Sequence, residues 1–216
     1  MIHQFMIYVE AIYTLIIVFL FAAIYIKTKD MYSLTKHQGI AYFRNAFIFF
    51  ALAYFFKFII ILFKLSWFTF DSQPLKGFLW PLNILLIGYL GTMAIFSLMS
   101  STIWKDVKIK HLTLFTNIIA VLIAVVSFLT LSIYIVVYSH LIIIVFTLLI
   151  SYLNHKKRGK FTNLFVIYIL LFVFWLINIL ILGPRTFLPL EVKIPFYIIS
   201  TAIFLLIFYK VVKWIK

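Results

Sequence analysis

The chain contains no cysteine and only five acidic residues. The first absence excludes a disulfide framework, a thiolate metal site and a cysteine nucleophile. The second leaves little material for carboxylate catalysis or for a proton relay along carboxylates. Six glycines and five prolines supply no flexible linker. No HExxH, GxSxG, P-loop or paired-carboxylate motif occurs, and His37, His111 and His155 lack metal-ligand spacing. The sequence therefore gives no reason to expect a catalytic residue, a metal or a cofactor.

What is present is apolar. Hydrophobic residues make up 66% of the chain and charged residues 11%, against about 25% charged in a soluble domain. A bilayer crossing needs roughly 20 apolar residues, and seven runs meet or approach that length. They lie at about 5–26, 40–63, 78–99, 111–129, 132–153, 162–182 and 194–212. The fourth and fifth share one stretch that would be about 65 Å long as a single helix, some two bilayers. A hairpin with a tight turn near Thr130 and Ser132 is therefore expected, and one unbroken helix is the alternative. Gly183 and Pro184 stop the sixth run. The first run has no basic segment before it and no small-residue cleavage site after it, so it reads as a retained span rather than a signal peptide. The expected fold class is all-α: one transmembrane domain, 1–216, a bundle of seven helices.

The formal net charge of +14 would suit nucleic acid, but its placement excludes that partner. Fourteen of the nineteen cations fall on one side: Lys27, Lys29, Lys36, Arg44, Lys105, Lys108, Lys110, Lys156, Lys157, Arg158, Lys160, Lys210, Lys213 and Lys216. Lys57, Lys64, Lys76, Arg185 and Lys193 fall on the other. The positive-inside bias makes the first side cytoplasmic, with the N-terminus outside and the C-terminus inside. A multi-pass protein of the cell membrane follows, with anionic lipids as partners of its cytoplasmic face. Trp67 and Trp80 fall at the outer interface, Trp104 and Trp214 at the inner one, as an aromatic belt requires.

With seven spans, 1–3 and 5–7 run in the same directions and span 4 links them, a parallel-repeat layout known among transporters. Sugar transporters of that layout carry prolines within their transport helices, whereas Pro74, Pro81, Pro184, Pro189 and Pro195 all lie near outer ends. A retinal protein needs a lysine midway along span 7, and none stands there. The segment LTKHQGIAYFRNAF, residues 34–47, resembles the opening of helix 2 in uncharacterised archaeal polytopic membrane proteins. That resemblance covers one span of seven and implies no activity.

Polar side chains within the spans are the candidate site. Glu10 and Lys57 each lie about 8 Å outward of the centre of their spans, counting 1.5 Å per residue. Spans 1 and 2 are antiparallel and adjacent in sequence, so an ion pair would reduce the burial cost of both charges. Separate snorkelling to the surface is the alternative. Ala46 and Ala53 share the face of Lys57, and small residues let helices approach. Asn83, Asn178, His140 and the Ser200–Thr201 pair lie at or outward of the midplane, as do Tyr13 and Tyr54. Glu10, Lys57, Asn83, His140 and Asn178 are thus the expected ligand-binding residues of a pocket open to the outside. His140 is also the candidate for a pH response. The asparagines can equally serve as interhelical glue, and Gly88 and Gly91 suit close packing. Three functions fit: a receptor or sensor-like module with a small-molecule ligand, a small transporter or channel, and an accessory subunit with a membrane-protein partner. Only Thr116, Asn117 and the Arg44–Asn45 pair continue the polar set inward, which favours the first.

Overall fold

The computed structural model describes residues 2–70, 76–104, 109–158, 163–182 and 190–215. Among them lie seven helices and no strand. They are α1 (Ile2–Thr35), α2 (Gln38–Phe70), α3 (Lys76–Ile103), α4 (Ile109–Leu129), α5 (Ile133–Arg158), α6 (Asn163–Leu182) and α7 (Leu190–Ile215). The chemistry of the medium selects this class. In hydrocarbon every backbone N–H and C=O needs an internal partner, and a helix supplies all of them within one segment. Six helices are long and apolar enough to cross a membrane, and α6 holds a shorter apolar segment, Phe165–Ile181. The end at which α1 begins is called outer here, and the opposite end inner.

The apolar runs do not mark the helix ends. α1 and α2, with 34 and 33 residues, are each about 50 Å long, well beyond the roughly 30 Å of hydrocarbon. α1 continues nine residues past Ile26 to Thr35 because helix geometry persists outside the apolar layer. Pro81 and Pro195 lie inside α3 and α7, near the outer ends, where a missing N–H interrupts little of the helix. Gly183, Pro184, Pro74, Pro189, Arg185, Lys105, Lys108, Lys160 and Lys216 lie outside the described residues.

The expected break between the fourth and fifth spans is present: α4 ends at Leu129 and α5 starts at Ile133. The Ser132 amide donates to the Ser127 carbonyl (3.1 Å) and the Leu131 amide to that of Phe128 (3.2 Å). These are the two bonds of a Schellman cap, whose C′ residue takes the left-handed region. Leu131 occupies that position with φ 52°, where glycine would fit without steric cost. The α1–α2 turn uses the simpler form. Lys36, φ 50°, donates its amide to the Tyr32 carbonyl at 2.8 Å.

Helices α1, α2, α3, α5, α6 and α7 form a ring of successive neighbours closed by α7 on α1, and α4 lies outside it against α3 and α5. α3 is the most enclosed: 72% of its apolar window is buried, against 22% for α5 and α7 and 28% for α4. The core within the ring is aromatic. Phe21, fully buried, meets the rings of Phe47, Phe50, Tyr54, Phe174 and Phe204 at centroid distances of 4.5 to 6.0 Å. These residues come from α1, α2, α6 and α7. In lipid the helices are held by such packing and by polar contacts rather than by escape from water.

Candidate ligand site at the outer end of the bundle

Outward of Phe21, α1 and α2 bring opposite charges together. Lys57 Nζ lies 3.0 Å from Glu10 Oε1, with 11% of the lysine side chain and 30% of the carboxylate side chain exposed. Ala46, Ala53 and Lys57 are all buried, so the small-residue face of α2 does point into the bundle. Paired charges are the form in which ionised groups persist at this depth. Lys64 and Lys193 add positive potential at Glu10, and Lys193 Nζ donates to the Ile181 carbonyl at 3.1 Å.

Next to the pair sits a neutral hub built on Asn178 of α6. Its Oδ1 accepts from Tyr13 (2.7 Å) and Tyr54 (2.8 Å). Its Nδ2 donates to the Phe174 carbonyl (2.8 Å) and to Ser200 Oγ (3.0 Å). Ser200 Oγ also lies 2.8 Å from the Tyr13 hydroxyl. Tyr13 has one proton, which goes to Asn178, so Ser200 donates to Tyr13. The three side chains then close a ring of hydrogen bonds, and the Phe174 carbonyl, which can only accept, fixes the amide orientation of Asn178. Tyr197 packs on Tyr13 with ring centroids 4.6 Å apart, and the Lys57 ammonium lies 6.0 Å from the Tyr54 ring. Four helices, α1, α2, α6 and α7, thus meet at one polar cluster.

Of the five candidates, Glu10, Lys57 and Asn178 are gathered here. His140 is engaged elsewhere, in the seam between α3 and α5. Its Nε2 lies 2.9 Å from Thr92 Oγ1, which itself donates to the Gly88 carbonyl. With that proton committed, His140 is the donor to Thr92. Its ring rests against Gly91, where an added Cβ would come within 2.6 Å of Cε1, and against the Trp175 ring at 5.3 Å. Gly88 faces Ala124 of α4 and Val136 of α5 in the same way. Both glycines therefore serve close packing. Asn83 is half-buried on α3, and its Oδ1 is buried with no hydrogen-bond partner.

Other polar groups emerge that sequence reasoning did not single out. Thr92 is one. Inward of the aromatic block, Ser101 bonds the Tyr168 hydroxyl of α6, and Ser97 and Ser100 lie buried along the same helix. Serines on an apolar helix are ordinary packing residues that bond their own backbone, and Ser97, Ser100 and Ser101 do so. No signal in the sequence distinguishes Ser101 from the others. Among the described residues no cluster of three potential metal ligands occurs.

No family model matches the chain, and no solved structure does. An uncharacterized protein of Archaeoglobus fulgidus is 30% identical over 209 residues, covering 94% of this chain and 91% of that protein. The likeness runs far beyond residues 34–47. The chain belongs to the same family as this uncharacterized archaeal protein.

Proposed function

We propose that the protein is a receptor or sensor-like module of the cell membrane. In this reading all seven helices cross, the N-terminus is outside and the C-terminus is cytoplasmic. The cation asymmetry supports that orientation. The ligand is a small polar solute carrying an anionic group. It binds at Glu10 and Lys57, with Asn178 behind them, by exchanging its own charge for one half of the ion pair. Asn83 offers a further acceptor in its unpartnered Oδ1. His140, with its ring held by Thr92 and Trp175, supports the seam instead.

The observation that carries the reading is the Glu10–Lys57 pair beside a hub shared by four helices. A ligand that frees one charge loosens α1 from α2, and the Tyr13–Asn178–Ser200 ring passes the change to α6 and α7. The short loops leave the inner helix ends as the output, toward a membrane-protein partner. The aromatic block around Phe21 fills the ring between outer and inner halves, which favours a closed-bottom site. A second reading, a small transporter, is favoured by the inner polar contact Ser101–Tyr168. Polar groups then stand on both sides of an aromatic gate.

Proteoliposomes containing the full chain test the choice, with labelled small organic anions, zwitterions and inorganic ions supplied outside. The receptor reading expects no protein-dependent uptake. Uptake that stops on Lys57→Met overturns it in favour of transport.

A further inference from the structure

We propose that the inner end of α1 and α2 holds a specific site for the phosphate of an anionic phospholipid, with Arg44 as its principal donor. This site is independent of the outer cluster. Arg44 lies thirteen residues before Lys57 on α2, about 20 Å along the helix axis, which puts it near the opposite boundary of the hydrocarbon. Tyr25 and Tyr32 are seven residues apart on α1 and so share a face. The continuation of α1 beyond Ile26 is what carries Tyr32 to this spot. The Arg44 guanidinium carbon lies 4.6 Å from the Tyr25 ring centroid and 5.3 Å from that of Tyr32. Lys36 Nζ lies 5.8 Å from the same Tyr32 ring. Two cations therefore lie within about 6 Å of one aromatic ring.

Among the described residues no ion pair joins Arg44 or Lys36 to a carboxylate, and Arg44 Nε is buried with no hydrogen-bond partner. Aromatic faces hold a guanidinium in place but leave its N–H fork unused. An anion bound beside this ring gains attraction from both cations. A phosphate matches the fork with paired acceptor oxygens, and the phosphates of the lipid headgroups stand at this depth. Two tyrosine rings fix the orientation of Arg44 before any lipid arrives.

The test is native mass spectrometry of the purified full chain in neutral detergent with added phosphatidylglycerol. Arg44→Gln is expected to weaken retention of the lipid about fivefold. Tyr32→Leu, which leaves the cation but removes its support, should weaken it about threefold. Lys156→Gln removes an exposed lysine from the same end of the bundle and should change retention by less than about twofold. Equal loss in Arg44→Gln and Lys156→Gln would mean diffuse attraction to a basic surface and overturn the site. So would undiminished binding by Arg44→Gln. If that variant does not fold, judged by melting in phosphatidylcholine, Arg44→Lys decides with Tyr32→Leu. A lysine keeps the charge without the fork, so loss in neither overturns the proposal. Glycerol phosphate is the soluble arm. Binding as tight as that of the lipid would assign the site to a free phosphate and overturn the lipid as occupant.

Discussion

The outer cluster and the α3–α5 seam both bury polar side chains, and they do so by opposite means. At the outer end of α1, α2, α6 and α7, the polar atoms bond one another across four helices, and a charge pair remains partly open. In the seam between α3 and α5, one histidine is packed against Gly91 and bonded to Thr92. The difference lies in what each could release. The seam holds His140 by shape, because Gly91 leaves room for one ring and nothing more. The outer cluster holds its members by interactions that a polar solute can imitate. In the proposed receptor reading, buried polarity marks a binding site only where charge and access accompany it.

Substitutions break the comparison in a graded way. Gly91→Ala strikes the seam hardest, because the new methyl group would come within 2.6 Å of His140. A loss of about 3 kcal/mol is expected from such overpacking, read by unfolding in mixed micelles. Combining it with His140→Ala should recover part of the loss. If Gly91→Ala unfolds like the parent, shape does not hold the seam.

Asn178→Leu removes three interhelical hydrogen bonds from the hub. At about 0.6 kcal/mol each on average, the loss should be about 2 kcal/mol. Tyr13→Phe, which deletes one hydroxyl of the ring, should cost less, and an equal cost would mean that the hub acts as a single unit. Glu10→Gln leaves Lys57 partly buried without its counter-charge and should cost about 1–2 kcal/mol, below the range for fully buried pairs because both groups retain some exposure. A double-mutant cycle with Lys57→Met should give a coupling above about 0.5 kcal/mol. Additive losses would reduce the pair to two snorkelling side chains.

The smallest effect has the opposite sign. Leu131→Gly relieves a left-handed leucine in the α4–α5 turn and should stabilise the chain by about 1 kcal/mol. A destabilised variant would mean that contacts of the leucine side chain outweigh its backbone strain.

Much of the fold was legible because the bilayer imposes lengths. The α4–α5 break followed from counting residues, and its position agrees with the Schellman turn. Equal depth on neighbouring antiparallel spans allowed either a Glu10–Lys57 pair or separate snorkelling, and the structure has the pair. The hub was only half legible. Tyr13, Tyr54, Asn178 and Ser200 could each be placed in the outer half, but their bonds join residues 22 to 187 apart in sequence. Such pairings depend on how each helix is rotated about its axis. A helix that is apolar on all sides carries little record of that rotation. The same limit hid Thr92 as the partner of His140, so depth alone grouped His140 with a site that its ring does not join. The length of α1 beyond Ile26 was hidden for another reason, since hydropathy reports the crossing and not the helix.

The central claim is that the outer cluster binds and the seam only packs. A thermal-shift panel of small anionic, zwitterionic and neutral solutes tests it most directly, run on the parent chain, Lys57→Met and His140→Gln. The account predicts a solute that stabilises the parent and His140→Gln but leaves Lys57→Met unmoved. A solute whose stabilisation survives Lys57→Met and disappears in His140→Gln would contradict it.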